Sequence, residues 1–164
     1  MNWSLQTILK RMSATSLALG LAVPAALGQA ADSEAKARVK LTFDVAKRFF
    51  RDGMFTTAVE RFDAFARMHP GSPHHAEAVL LEGQARFQLG QFEGVAEELT
   101  AGLQTAGPWA DRYLFWIGEV QFAQGYFNLA AASYGQLIEK HPGSVRALTA
   151  ALGQAQSLYQ LGDL

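Results

Sequence analysis

Along most of this chain apolar residues recur three and four positions apart, the spacing that gathers them on one face of an α-helix. The stretches "FFRDGMFTTAVERF", "GQARFQLGQFEGVAEEL" and "WIGEVQFAQGYFNLAAASY" each hold two such runs, one on either side of a glycine. Helices are expected over 33–51, 54–68, 73–89, 91–104, 108–124, 127–140 and 145–161. The glycines Gly53, Gly90, Gly125 and Gly162 stand 37, 35 and 37 residues apart. Each fits the left-handed C-terminal position that ends a helix at low steric cost.

The register around these glycines repeats. Phe55, Phe92 and Phe127 follow the first three by two residues, then Ala58, Val95 and Ala130, then Phe62, Leu99 and Tyr134. Upstream, Ala46, Gly83, Gly118 and Ala155 are small enough for a second helix to approach closely, and Phe50, Phe87, Phe122 and Tyr159 come four residues later. A period of this length signals stacked supersecondary units, each here a helix, a tight turn and a helix. The string His-Pro-Gly-Ser occurs at 69–72 and again at 141–144, two periods apart, with Thr105-Ala106-Gly107-Pro108 in the corner between. Proline there stops one helix, glycine frees the turn, and Ser72 or Ser144 is expected to cap the next helix, with Pro73 in its first turn.

These residues, together with the closing "KHPGS", resemble the tetratricopeptide repeat. The resemblance implies an all-α fold, a right-handed superhelical solenoid of about three and a half hairpins, with repeats near 39–72, 73–108, 109–144 and an incomplete 145–164. Val95 departs from the alanine of the pattern, and the second unit closes in "TAGPW". The third unit looks most like bacterial periplasmic proteins that accompany outer-membrane assembly or the Tol-Pal system, although the coiled coil that precedes the repeats in the Tol-Pal coordinator is absent. Such stacks bind partners in a concave groove lined by the first helices. The resemblance maps that lining to Lys40, Phe43, Lys47, Phe50 and Arg51 in the first unit, and to Glu77, Leu80, Gln84, Phe87 and Gln88 in the second. Arg112, Phe115, Glu119 and Phe122 follow in the third, and Thr149, Leu152, Gln156, Tyr159 and Gln160 in the fourth. Two apolar stripes result. The stripe of Phe50, Phe87, Phe122 and Tyr159 is assigned to packing between helices, and that of Phe43, Leu80, Phe115 and Leu152 to partner contact.

Composition narrows the picture. At 49% apolar and 18% charged residues the chain can bury a core. It has no cysteine, so disulfides, thiol chemistry and the cysteine of bacterial lipidation are excluded. Lys10 and Arg11 precede an uncharged run from Met12 to Leu27, and Gly28-Gln29-Ala30 supplies the small residues of a cleavage site. Residues 1–30 are therefore expected to be a signal peptide and residues 31–164 an exported, periplasmic repeat domain without a membrane span. Without Lys10 and Arg11 the chain holds 12 basic and 15 acidic residues, a net charge of 12 − 15 = −3 that gives no footprint for nucleic acid. Eight basic and four acidic residues lie between Lys36 and Arg67, against four and nine from His74 onward, so an acidic partner segment would point toward the first unit.

Motif searching finds no nucleophile elbow, phosphate loop or zinc helix. His69, His74, His75 and Glu77 form the nearest approach to a metal site, but histidines at a helix boundary are ordinary polar filling. His69 and His141 would stand about 20 Å apart in the stack, too far to share an ion. No catalytic residue, metal or cofactor is expected. The function expected is a non-catalytic scaffold that binds a protein or peptide, with the substrate-recruiting arm of a larger envelope enzyme as the alternative. Because Gly162-Asp163-Leu164 stands where an eighth helix is due, the chain is expected to be the N-terminal part of a longer protein. The other reading is self-association through the incomplete last repeat.

Overall fold

The computed structural model describes residues 5–162, with side chains from residue 28 onward. Residues 1–41 and 42–164 form two compact units. Helix α1 runs from Leu5 to Arg51, so it begins well ahead of the expected residue 33. The alanine-rich stretch "AALGQAADSEAKA", with leucine, glutamine, glutamate and lysine as strong helix formers, accounts for the extension back to Ala25, and the helix continues through Pro24 to Leu5. Residues 28–38 are exposed, and the Glu34–Arg38 pair at 3.7 Å is a surface contact of small worth. The side chains of the expected signal segment up to Leu27 lie outside the described residues. Among the described residues no helix is long and apolar enough to cross a membrane.

In the second unit the end of α1 is followed by α2 (Phe55–Met68), α3 (His75–Gln88), α4 (Val95–Gly102), α5 (Ala110–Ala123), α6 (Phe127–Lys140) and α7 (Ala147–Leu161). The described residues contain no strand. Each second helix also packs on the first helix that follows it, α2 on α3, α4 on α5 and α6 on α7. The fold is an all-α solenoid of stacked hairpins. Gly53, Gly90, Gly125 and Gly162 adopt φ of +75°, +72°, +81° and +78°, the left-handed turn the pattern required.

Small residues set how closely the helices stack. A Cβ on Gly118 would stand 2.7 Å from the Tyr134 ring, and so would one on Gly153. Tyr134 of α6 is thus wedged between α5 and α7 at two glycines, and no larger residue fits at either. Its hydroxyl donates to Glu119 at 2.7 Å, and burial together with that bond pushes its pKa upward.

Several boundaries differ from expectation: α5 starts at Ala110 rather than 108, α7 at Ala147 rather than 145, α4 ends at Gly102 rather than 104, and two further starts have a visible local cause. Helix α4 starts at Val95 rather than 91 because Gly94 turns left-handed (φ +74°), and Arg86 holds that turn by donating to the Glu93 carbonyl. Helix α3 starts at His75 rather than 73. Ser72 does not cap it; its hydroxyl accepts from the His74 N–H at 3.2 Å in a short turn that precedes the helix. Ser144 does the same with the Arg146 N–H at 3.1 Å.

Candidate protein-binding face

Of the two stripes assigned in sequence, the one given to partner contact is the buried one. Phe43 is 1% exposed, Leu80 1% and Phe115 6%, whereas Leu152 alone stays open at 59%. The first helix of each following unit closes over the stripe. The His74 ring stacks on Phe43 at 4.7 Å and 12°, and the Arg146 guanidinium covers the Phe115 ring at 4.9 Å. Phe43, Leu80 and Phe115 are therefore core residues and cannot anchor a partner.

The other stripe joins the two helices of each hairpin. Phe50 meets Phe55 at 5.5 Å, Phe87 meets Phe92 at 5.3 Å and Phe122 meets Phe127 at 5.2 Å, all edge-on. These rings are only half-buried, so they both clasp the hairpin and leave an edge on the surface of the first helices. Tyr159, in the same register on α7, is 67% exposed. Phe122, Ala155, Gln156, Tyr159 and Gln160 line a shallow cleft on this face.

Several polar residues of the expected groove are engaged inside the array. Lys47 donates to Glu77 at 2.6 Å and lies over the Phe43 ring. Glu119 accepts from Tyr134, and the Arg112 guanidinium stacks over Trp109 at 4.5 Å. Lys40 falls in the first compact unit and is exposed, and Arg51 is exposed at the end of α1. What the face offers beside its aromatic edges is a pair of glutamines, repeated. Gln84, Phe87 and Gln88 on α3 recur as Gln156, Tyr159 and Gln160 on α7, with Gln84 half-buried and the other three amides exposed.

Two family profiles, each described as tetratricopeptide repeat, match the chain, one over residues 43–113 and the other over 112–144. This is a tetratricopeptide repeat protein. Comparison with curated proteins finds no match.

Within the tetratricopeptide array the sequence pattern did not single out Trp116, which bridges units by packing edge-on against Phe87 at 5.2 Å and Phe115 at 5.8 Å. Asp44, Leu81 and Gly153 hold the same register in the other units, so periodicity carries no signal for it. Glu82 was also unmarked. It is 7% exposed on α3, and burial, with the Glu98 and Asp63 carboxylates, pushes its pKa up to about 7 against the lowering pull of Arg86 and Arg67. The histidines of the corner serve the array itself, His74 against Phe43 and His69 against Phe65 at 5.1 Å. Among the described residues no His, Asp and Glu side chains are grouped to hold a metal ion.

Proposed function

We propose that this tetratricopeptide repeat protein is an exported scaffold that binds an extended polypeptide segment across its first helices. Tetratricopeptide repeats are in general non-catalytic interaction modules, and their stacking creates an extended binding surface. The observation that carries the reading is the repeated glutamine–aromatic–glutamine pattern of Gln84, Phe87, Gln88 and Gln156, Tyr159, Gln160. An amide side chain both donates and accepts, so it can pair with either group of a peptide backbone, and the adjacent ring supplies apolar contact. No charge is needed from the partner at these positions. The basic bias of residues 36–67 favours an acidic stretch at the end of the segment nearest the first unit.

Panning a random peptide display library on the immobilised chain tests this. Enriched peptides should lose at least tenfold in affinity for a variant carrying Gln84→Ala, Gln88→Ala, Gln156→Ala and Gln160→Ala, at unchanged helical content. Enriched peptides that bind the variant equally well would remove the glutamine face as the site. For the envelope location the support is Lys10, Arg11, the uncharged run to Leu27 and Gly28-Gln29-Ala30. A reporter that is active only after export, fused behind residue 40, should become active and carry Ala31 at its new N-terminus. An inactive reporter would withdraw the export part of the reading and leave the binding part standing.

A further inference from the structure

Helices α2 and α6 begin two residues after the glycine of their turn, at Phe55 and Phe127, but α4 begins five residues after Gly90, at Val95. The first helical turn of the neighbouring units is here an unwound segment, 91–94, and it is held from α3. The Arg86 guanidinium donates to the Glu93 carbonyl and, at 3.3 Å, to Glu98 on α4, and it lies 4.0 Å from where a Cβ on Gly94 would stand. At the end of the segment the Val95 N–H reaches the Phe92 carbonyl only at 3.3 Å. One turn before Arg86 on α3 comes Glu82, close enough in register to compete for it. Two cations and two further carboxylates act on Glu82: Asp63 and Arg67 of α2, Arg86 of α3 itself and Glu98 of α4. Arg67 donates to Asp63 and Arg86 to Glu98, so each cation already has its carboxylate. The charges of α5, which also packs on α3, are engaged elsewhere: Asp111 accepts from Ser144, Arg112 lies over Trp109 and Glu119 accepts from Tyr134. Lys47 of α1 is taken by Glu77. Glu82, at 7% exposure, is thus a carboxyl with no cation of its own, which favours the neutral acid.

We infer that Glu82 is the release of a latch: while it carries its proton, Arg86 holds residues 91–94 unwound ahead of α4, and when it ionises it draws Arg86 back along α3, repels Glu98 and lets the segment go. Both effects have the same direction. Arg86 is the nearest cation along α3 for a newly charged Glu82, and every bond it makes there is taken from Glu93 and Glu98. The repulsion of Glu98 acts on α4 itself, whose first turn also carries Glu97. With burial and the Glu98 and Asp63 carboxylates pushing the Glu82 pKa up to about 7, the latch opens as pH rises through neutrality and closes below it. The freed segment carries Phe92, which meets Phe87 at 5.3 Å, so its release loosens one ring of the proposed binding face. That last consequence rests on the reading of the face; the latch does not.

Nuclear magnetic resonance of the folded full chain, titrated from about pH 5.5 to about pH 8.5 around that value, tests the latch without any ligand. The Gly94 amide and the Arg86 side-chain N–H should shift together with a midpoint near pH 7, and the cross-peak between the Phe87 and Phe92 rings should fade over the same interval. The amide of Gly125, which ends the corresponding turn of the next unit, should stay in place. Glu82→Gln keeps the shape and removes the titration, so its Gly94 and Arg86 signals should hold the low-pH positions throughout, at unchanged helical circular dichroism. Arg86→Gln should show the released Gly94 signal at both ends of the range. Gly94 and Arg86 signals that do not move in the parent would overturn the proposal. So would signals that move as much in Glu82→Gln, which would pass the effect to the histidines, or a Gly94 signal that Arg86→Gln leaves at its low-pH position.

Discussion

Between α2 and α3, and again between α6 and α7, the chain turns in six residues, and between α4 and α5 in seven, by different means. The two six-residue joints are near copies. His69 and His141 take φ, ψ of −131°, 54° and −132°, 56°, and donate back to Phe65 and Leu137. The serine after each accepts from the backbone two residues on, and the residue that follows, His74 or Arg146, lies over the aromatic ring of the preceding first helix. The middle joint instead runs through two short 3-10 turns, 103–105 and 107–109, with Gly107 left-handed at φ +53°. Leu80, the counterpart of Phe43 and Phe115, is buried there in a cluster with Tyr113, against which Trp109 and Ala110 pack. The His-Pro-Gly-Ser string is therefore more than a turn: it delivers a cover for a ring 26 residues upstream, and where the ring becomes a leucine the string is gone.

Removing a covered ring is the strongest way to break this contrast. Phe115→Ala should destabilise the protein by about 3–5 kcal/mol, because it opens a cavity in the core and leaves Arg146 without the face it lies on. Leu80→Ala, at the joint where Trp109 and Ala110 pack against the cluster in place of a histidine or arginine laid over a ring, should cost about 2–3 kcal/mol. Chemical denaturation of both variants gives the comparison. Equal costs would mean that the cover adds nothing to burial alone.

The second unit differs in another way, since Glu82 occupies the register of Ile117, which is 4% exposed on α5. In the folded protein this carboxyl keeps its proton up to a pH of about 7, whereas the unfolded chain gives it up near 4.5. The folded state thus binds more protons across that interval, and the group's contribution falls as pH rises from about 4.5 to 7. Glu82→Gln removes the slope. Its stability gain over the parent should grow by about 2 kcal/mol between pH 5 and pH 8, since a tenfold difference in proton affinity between the two states corresponds to about 1.4 kcal/mol. A gap that stays constant with pH would show that Glu82 is solvated and ionised in the fold.

A smaller effect belongs to the middle joint alone. Tyr113 donates its hydroxyl to the Ala76 carbonyl at 2.8 Å, linking α5 to α3, and its ring fills the space beside Gly102. Burial raises its pKa to about 12, so it remains a donor throughout the neutral range. Tyr113→Phe keeps the ring and should cost about 1 kcal/mol in denaturant unfolding, the worth of one buried hydrogen bond with its acceptor left unpaired.

Much of the fold was legible because glycine has few reasons to recur every 36 residues or so other than a left-handed turn, and all four such glycines make one. The helix α6, bounded by Gly125 on one side and Pro142 on the other, falls where expected, at Phe127–Lys140. Boundaries shifted where a local bond competed with the pattern, as with Gly94 and Arg86 ahead of α4. The binding face was harder to read. Spacing places Phe43 and Phe50 on the same helix, but only the approach of the next unit decides which of them is covered. That approach depends on His74, Arg146 and Trp109, residues the period does not mark.

The finest contrast lies between the two joints that look alike. Ser72 and Ser144 both accept from a backbone N–H, but Ser144 also donates its hydroxyl to the Asp111 carboxylate at 2.6 Å, tying the last joint to the start of α5. The residue matching Asp111 one double period earlier is Val39, which cannot serve as such an acceptor through its side chain. Ser144→Ala should therefore cost about 1 kcal/mol and Ser72→Ala about 0.5 kcal/mol. Asp111→Asn provides the check, because it should weaken the parent by a few tenths of a kcal/mol and leave Ser144→Ala unaffected. A double-mutant cycle with no coupling between Ser144 and Asp111 would reduce the two joints to one design.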